Sequence, residues 1–181
     1  MSTIRVAVLV GSLRADSLNR KVAEKLAAEA PEGVTLSIVE GLDQLPFYNE
    51  ELDAGDAPAA AVAVRQAVAD ADRVLVVTPE YNGTMPAVLN NAIDWLSRPY
   101  GAGALSAKPF AVIGTTPTPY GGKWAHNDTA RSANIAGAVV LEDVTVSQSA
   151  LEVDVLNDAE VFGKLQAAVQ ALVDYSETAA A

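Results

Sequence analysis

The chain has no cysteine and only one histidine among its 181 residues. Without cysteine it cannot form disulfides, thiolate metal sites or thiol redox centres, so any redox function must come from a bound cofactor. The single histidine, His126, leaves little for a metal centre or a histidine-dependent catalytic triad. We therefore predict no metal site and name no catalytic side chain.

Long apolar runs and positive charge are also scarce. No apolar run approaches the roughly 20 residues that span a bilayer. Because the strand pattern begins almost at once, we expect no signal peptide. The formal net charge of −11 argues against nucleic acid and anionic membranes as partners. We expect a cytoplasmic protein with no membrane or nucleic-acid partner. A small phosphate ligand stays possible, because local amides and one arginine suffice to bind it.

Strand-like apolar runs alternate with helical patterns along the chain. Strands are predicted near 4–10, 34–39, 73–78 and 110–114, with one more within 138–147. Helices are predicted near 17–30, 58–71, 85–97, 123–135 and 158–175. This alternation is typical of a doubly wound α/β domain, here with five parallel strands in the order 2-1-3-4-5 between helical layers. We expect residues 1–181 to form this single domain, with a frayed tail over 177–181.

The longest irregular stretch, residues 41–57, lies between the second strand and the second helix. Its acidic residues Glu50, Glu51 and Asp53 are expected to be solvated. Leu45 and Phe47 are expected to cover the core or to contribute to a subunit interface.

The loop after the first strand has the composition of a phosphate site. Residues 11–19 read GSLRADSLN and lead into a helical pattern. The first amides of a helix have no intrahelical partner, and the helix dipole favours an anion there. Ser12, Ser17 and Asn19 can add hydrogen bonds, and Arg14 can add a charge-assisted contact. The alternative is an ordinary helix capped by Ser17, but the density of polar groups favours an anion site.

The loop after the third strand is polar and carries an aromatic ring. Residues 78–86 read TPEYNGTMP, and Gly83 permits an unusual backbone angle. Such a loop can lay main-chain amides and the ring of Tyr81 against a flat heteroaromatic ligand, so a flavin is the first ligand to consider. The carboxylate of Glu80 could cap the helix region that follows this loop, or it could help to hold the loop. The candidate binding residues in this loop are Pro79, Glu80, Tyr81, Asn82 and Gly83.

A third loop follows the fourth strand over residues 115–122, which read TTPTPYGG. Its two prolines constrain the backbone, and its two glycines admit a close backbone approach. Thr115, Gly121 and Gly122 are therefore candidate site residues. In a sheet ordered 2-1-3-4-5 all three loops lie at one edge, and the first two flank the topological switch point.

These loops resemble a known family. Residues 11–19 resemble the G-S-x-R-x-x-S-x-N loop of NADPH-dependent FMN reductases. Residues 79–86, followed by LNNAIDWLS at 89–97, resemble that family's second motif. Gly121 and Gly122 resemble the glycine pair of its third loop.

The resemblance implies a flavodoxin-like three-layer sandwich that binds FMN without a covalent link. It implies that Ser12, Arg14, Ser17 and Asn19 hold the FMN phosphate, and that residues 79–83 line the isoalloxazine and the ribityl chain. It also implies transfer of a hydride from NADPH or NADH, through FMN, to a quinone, a free flavin, an azo dye or chromate. The resemblance further implies a homodimer or a homotetramer.

Several alternatives stay open at this point. The chain could instead be a flavodoxin-type electron carrier that does not itself oxidise NAD(P)H, or a scaffold that binds no flavin. His126 could donate a proton to a reduced quinone, although a structural role is the commoner one for a lone histidine. Trp95 is expected to pack in the core or an interface. Trp124 stands where alanine is common in the family, which leaves the acceptor open.

Overall fold

The computed structural model describes residues 3–176, so the expected fraying of 177–181 lies outside the described residues. The strands are β1 (Ile4–Val10), β2 (Val34–Ile38), β3 (Arg73–Val77), β4 (Pro109–Thr116), β5 (Val139–Val140) and β6 (Val146–Ser149). The helices are α1 (Leu18–Ala28), α2 (Glu50–Ala54), α3 (Ala59–Ala69), α4 (Ala87–Leu96), α5 (Lys123–Ile135) and α6 (Ala159–Asp174). The predicted alternation of strands and helices is confirmed.

The strands form one parallel sheet in the order β2-β1-β3-β4-β5, as predicted, with β6 as an additional strand. The expected last strand is split into two pieces. β5 pairs with the start of β4, where Val139 lies opposite Pro109, and β6 pairs with its end, where Val146 lies opposite Ile113. A short 3-10 helix, Glu142–Val144, separates the two pieces.

The sheet is covered on both faces, which gives a flavodoxin-like three-layer sandwich. In β1, Ala7 and Leu9 belong to the core beneath α3, α4 and α5. Val6, Val8 and Val10 belong to the core beneath α1 and α6. Parallel strands that are buried on both faces are apolar throughout. This is why the central strands read as continuous apolar runs in the sequence.

The helix starts follow from their capping residues. The Ser17 hydroxyl accepts a hydrogen bond from the Arg20 amide at 3.3 Å, which makes Ser17 the N-cap of α1. Asp158 accepts from the amides of Glu160 and Val161 and begins α6. Both caps stand where the sequence predicted the helices to start. Among the helices within residues 3–176, none is both long enough and apolar enough to span a bilayer.

The segment 41–57 is more ordered than expected. It contains a 3-10 helix at Leu42–Gln44 as well as α2. The expectation of solvated acidic side chains is wrong for Asp53, whose side chain is only 16% exposed. Its two carboxylate oxygens accept from the Arg65 guanidinium at 2.6 and 2.8 Å. The hydrogen bond from Arg65 is the main cause that lowers the pKa of Asp53.

Trp95 binds the segment 41–57 to the core. The side chain is fully buried, and its indole N–H donates to the Pro46 carbonyl at 2.8 Å. The expected core packing of Trp95 is thus confirmed. Leu45 is buried in the core as well, whereas Phe47 is 83% exposed.

Candidate functional site

The predicted site loops follow β1, β3 and β4, and two of them are joined by a side chain. The Asn19 amide nitrogen donates to the Thr115 carbonyl at 2.9 Å, and its oxygen accepts from the Thr115 amide at 3.0 Å. Both residues are buried. This paired contact joins the first turn of α1 to the end of β4, although the two residues are 96 positions apart in sequence. The structure therefore brings these two predicted site residues together.

The first loop presents N–H groups and one cation. Ser12 accepts a long contact of 3.5 Å from the Arg14 amide. Within residues 3–176, no acceptor faces the amides of the remaining loop residues Ser12, Leu13, Ala15 and Asp16, and the exposed Arg14 side chain has no ion pair. The Asp16 carboxylate is engaged by Lys21, whose hydrogen bond is the main cause that lowers the pKa of Asp16. The loop therefore offers positive character to an anion.

A cavity of about 320 Å³ lies beside this loop. One wall is the first loop, and the other is the segment 39–43 after β2. The second wall carries Glu40, whose carboxylate pairs with Arg20 at 2.6 Å. Because the far wall carries acidic groups, only the loop side of the cavity suits a phosphate.

The second loop folds into a tight hairpin turn. The Tyr81 amide donates to the Thr84 carbonyl at 3.0 Å, and the Thr84 amide donates back to Tyr81 at 3.1 Å. Asn82 and Gly83 have φ of 54° and 74°. Positive φ at both central positions is the feature of the primed hairpin turns that Asn-Gly favours. The unusual backbone angle predicted at Gly83 is confirmed, and the turn leaves Tyr81 46% exposed.

Glu80 attaches this hairpin to α5, the helix that follows the third loop. Its Oε2 accepts from the amides of Trp124 at 3.0 Å and Ala125 at 3.1 Å, which are in the first turn of α5. One turn further on, the Thr84 hydroxyl donates to Asp128 at 2.7 Å. The hairpin therefore lies along the start of α5. Glu80 therefore caps α5 and not α4, the helix that follows its own loop and that the sequence favoured for the cap. The Thr84–Asp128 contact had no signal in the sequence.

The third loop approaches the sheet closely at its glycines. Gly121 has a φ of 63°, and a Cβ there would lie 2.5 Å from the Ser147 carbonyl oxygen. A side chain would therefore collide with β6, so the close approach expected of this loop is made to the chain's own backbone. Before these glycines, Tyr120 is exposed, and its ring centroid lies 4.6 Å from that of Trp124.

His126 lies beneath the loops and is fully buried. Its Nε2 lies 3.0 Å from the Thr78 carbonyl, and its Nδ1 lies 2.7 Å from the Ser147 hydroxyl. Because a carbonyl can only accept, Nε2 carries the proton and Nδ1 accepts from the hydroxyl. Burial is the main cause that lowers the pKa of His126, so the ring is neutral. These contacts support a structural role.

The donor groups at this edge fit FMN. The free amides, the serine hydroxyl and Arg14 of the first loop suit a phosphate. The exposed ring of Tyr81 and the turn amides of Asn82 and Gly83, which face no acceptor among the described residues, suit a flat polar ring. Thr115 Oγ1 is buried without a hydrogen-bond partner in this part of the chain. Within 3–176, no group of three His, Cys, Asp or Glu residues is arranged to hold a metal ion.

Comparison with known proteins agrees with this geometry. A family model described as NADPH-dependent FMN reductase matches residues 4–151. A 2-hydroxy-1,4-benzoquinone reductase of Burkholderia sp is 48% identical over 113 residues, 62% of this chain and 61% of that protein. The chain thus spans about three fifths of the length of that relative. A quinone reductase of Pseudomonas putida is 47% identical over 127 residues, 70% of this chain and 68% of that protein.

A solved structure extends the similarity over almost the whole fold. FerB, a flavoenzyme NAD(P)H:(acceptor) oxidoreductase from Paracoccus denitrificans, superposes with a TM-score of 0.85 at 34% identity. The match covers 96% of this chain and 97% of FerB.

Proposed function

Because the chain belongs to the NADPH-dependent FMN reductase family, we propose that it is an FMN-dependent oxidoreductase that passes electrons from NADPH or NADH to a quinone. The observation that carries the proposal is the edge at which three joined loops present free amides, Arg14 and exposed aromatic rings. The quinone is favoured among the possible acceptors because the two relatives above are named quinone reductases. Free flavins, azo dyes and chromate are the other acceptors to test.

The phosphate of FMN is assigned to the first loop. Ser12, Arg14, Ser17 and the amides that precede Ser17 supply its donors, since the Ser17 hydroxyl accepts from the Arg20 amide and can still donate its own proton. Asn19 contributes in two ways, because one of its N–H groups holds Thr115 and the second is left for the ligand. The remaining residues of the proposed site are Pro79, Glu80, Tyr81, Asn82, Gly83, Thr115, Gly121 and Gly122. Bound FMN would supply the hydride relay between NAD(P)H and the acceptor.

Within this site, Glu80 and Asn19 act chiefly by positioning. Glu80 holds the hairpin against α5 through two amide contacts, and Asn19 holds α1 against β4. Both contacts keep the loops in register with one another. No side chain is assigned an acid or base role, since the lone histidine is buried and neutral.

The proposal includes three broader expectations. We propose one domain over residues 1–181, a homodimer or homotetramer, and a cytoplasmic location without nucleic-acid partners. The net charge of −11 supports the last point. Size-exclusion chromatography with light scattering tests the oligomer, and cell fractionation tests the location.

The visible spectrum of the purified protein tests the function. The protein is reconstituted with FMN, freed of oxygen and mixed with NADPH or NADH, and menadione is then added. We expect the flavin absorption band to bleach with the nicotinamide and to return with the quinone. A protein that stays colourless with FMN would be the flavin-free scaffold. A bound flavin that NADPH and NADH leave oxidised would indicate the electron carrier.

A further inference from the structure

Three aromatic side chains lie half-exposed near the proposed site. Tyr120 is 57% exposed, Trp124 is 48% exposed and Tyr81 is 46% exposed. The rings of Tyr120 and Trp124 touch, with centroids 4.6 Å apart and planes tilted by 51°. The other tryptophan, Trp95, is fully buried and has its indole N–H bonded. Tyr120 and Trp124, unlike Trp95, are therefore not part of the hydrophobic core.

The contacts of α5 place this pair beside the second loop. The amide of Trp124 is held by Glu80, the residue before Tyr81. Asp128, which receives the Thr84 hydroxyl, lies four positions after Trp124 and thus on the same face of the helix. The face of α5 that carries Trp124 is consequently the face along which the Tyr81–Thr84 hairpin lies.

We propose that Tyr120 and Trp124 form an aromatic wall that selects planar aromatic electron acceptors over small non-aromatic ones. The inference rests on the proposed function and assigns its specificity to two residues. Aromatic rings favour offset-stacked or edge-to-face contact with another flat ring, whereas a small inorganic anion offers no such surface. A neutral flat acceptor also avoids the repulsion that the chain's net charge of −11 imposes on anions.

The geometry allows a clean substitution. Glu80 binds the backbone amide of Trp124, so Trp124→Ala removes the ring and leaves that hydrogen bond in place. Tyr120→Ala removes the second ring. Tyr100→Ala is the matched control, because Tyr100 is 80% exposed and precedes β4, at the opposite edge of the sheet.

The experiment compares menadione with ferricyanide as acceptors for the FMN-loaded protein and NADPH. For Trp124→Ala, we expect the ratio of kcat/KM for menadione to that for ferricyanide to fall roughly threefold to tenfold. Tyr120→Ala should lower the ratio in the same direction, and Tyr100→Ala should leave it at the wild-type value. Calorimetric titration with 2-naphthol, a flat ring that accepts no electrons, should show a matching rise in Kd for the two wall variants.

The proposal of an aromatic wall would be overturned if Trp124→Ala changed neither the ratio of kcat/KM for menadione to that for ferricyanide nor the Kd for 2-naphthol. A change in native mass on size-exclusion chromatography would also overturn it, because the pair would then belong to a subunit interface. Failure of the proposed function gives a different result, in which the wild-type protein oxidises NADPH with neither acceptor. The 2-naphthol titration tests the wall in that case as well.

Discussion

Arg14 is the one charged donor in a loop whose other donors are neutral, and it has no ion pair within residues 3–176. We predict that Arg14→Ala raises the Kd for FMN roughly tenfold to a hundredfold, because it removes a charge-assisted hydrogen bond to phosphate. Quenching of FMN fluorescence on titration measures the affinity. Arg5→Ala is the control, since it removes the same charge at the start of β1. Equal affinities in Arg14→Ala and wild type would remove Arg14 from the phosphate site.

His126 should make stability depend on pH. Burial lowers its pKa below the ordinary value of 6.5, so the unfolded chain binds a proton more readily than the folded one. The contribution of neutral His126 to the free energy of unfolding is fully present above pH 6.5, and it should decline as the pH falls below that value. Urea unfolding of wild type and His126→Asn, from about pH 7.5 down to about pH 5, measures the slope above the range where carboxylates titrate. We expect a shallower slope in the variant, and equal slopes would contradict the assignment.

Residues whose role is local could be predicted from the sequence. Ser17 as a cap and Gly83 in a turn depend on the few residues around them. The partners of Asn19 and Glu80 could not be predicted, because the chain brings Thr115 and Trp124 to them from 96 and 44 positions away. The local features of the candidate loops were therefore predictable, but the contacts that join the loops were not.

At the scale of elements, α2 is attached to its neighbours through Asp53, which also accepts a hydrogen bond from the Tyr48 hydroxyl at 3.3 Å. This five-residue helix buries none of its residues, and Asp53 within it binds Arg65 of α3 through both oxygens. We predict that Asp53→Ala lowers the free energy of unfolding by about 1–3 kcal/mol, as expected for a part-buried, charge-assisted pair. Urea denaturation measures the loss. Glu51→Ala, at an exposed position of the same helix, should change stability by less than about 0.5 kcal/mol, and equal losses would refute the role of the pair.

The element boundaries followed closely from apolar periodicity and capping residues. The split of the last strand did not, although Glu142 and Asp143 do interrupt an otherwise apolar stretch. Local composition predicts that such a stretch is extended, but only pairing with β4 decides where the edge strand leaves the sheet and rejoins it. The same limit applies to α2, whose pairing partner lies in the next helix.

At the scale of the whole molecule, the three loops meet at one edge of one sheet, which leaves little room for two separate substrate pockets. We predict that NADPH and the quinone use the site in turn, which gives ping-pong kinetics. Initial rates at several fixed menadione concentrations should yield parallel double-reciprocal lines against NADPH. High menadione should compete with NADPH. Intersecting lines would show that both substrates bind together, and the shared pocket would have to be abandoned.

The strand order was predictable because an alternation of strands and helices is compatible with few sheet topologies. The topological switch point then places the loops after β1 and β3 next to each other. The acceptor was not predictable, since in our proposal it depends on exposed side chains such as Trp124 that no folding rule constrains.

The hydrogen bonds by which Asn19 and Glu80 hold backbone amides, here called clamps, have a consequence for the motions of the ligand-free protein. The amide protons of Thr115, Trp124 and Ala125 are held by Asn19 and Glu80, so folding itself fixes these loops. Their exchange with deuterium should be slow before any ligand is added, whereas the amides of Asn82 and Gly83 should exchange quickly. A frame that is already rigid loses little entropy when a ligand enters, so FMN should protect the turn amides while leaving the exchange rates of the clamped amides nearly unchanged.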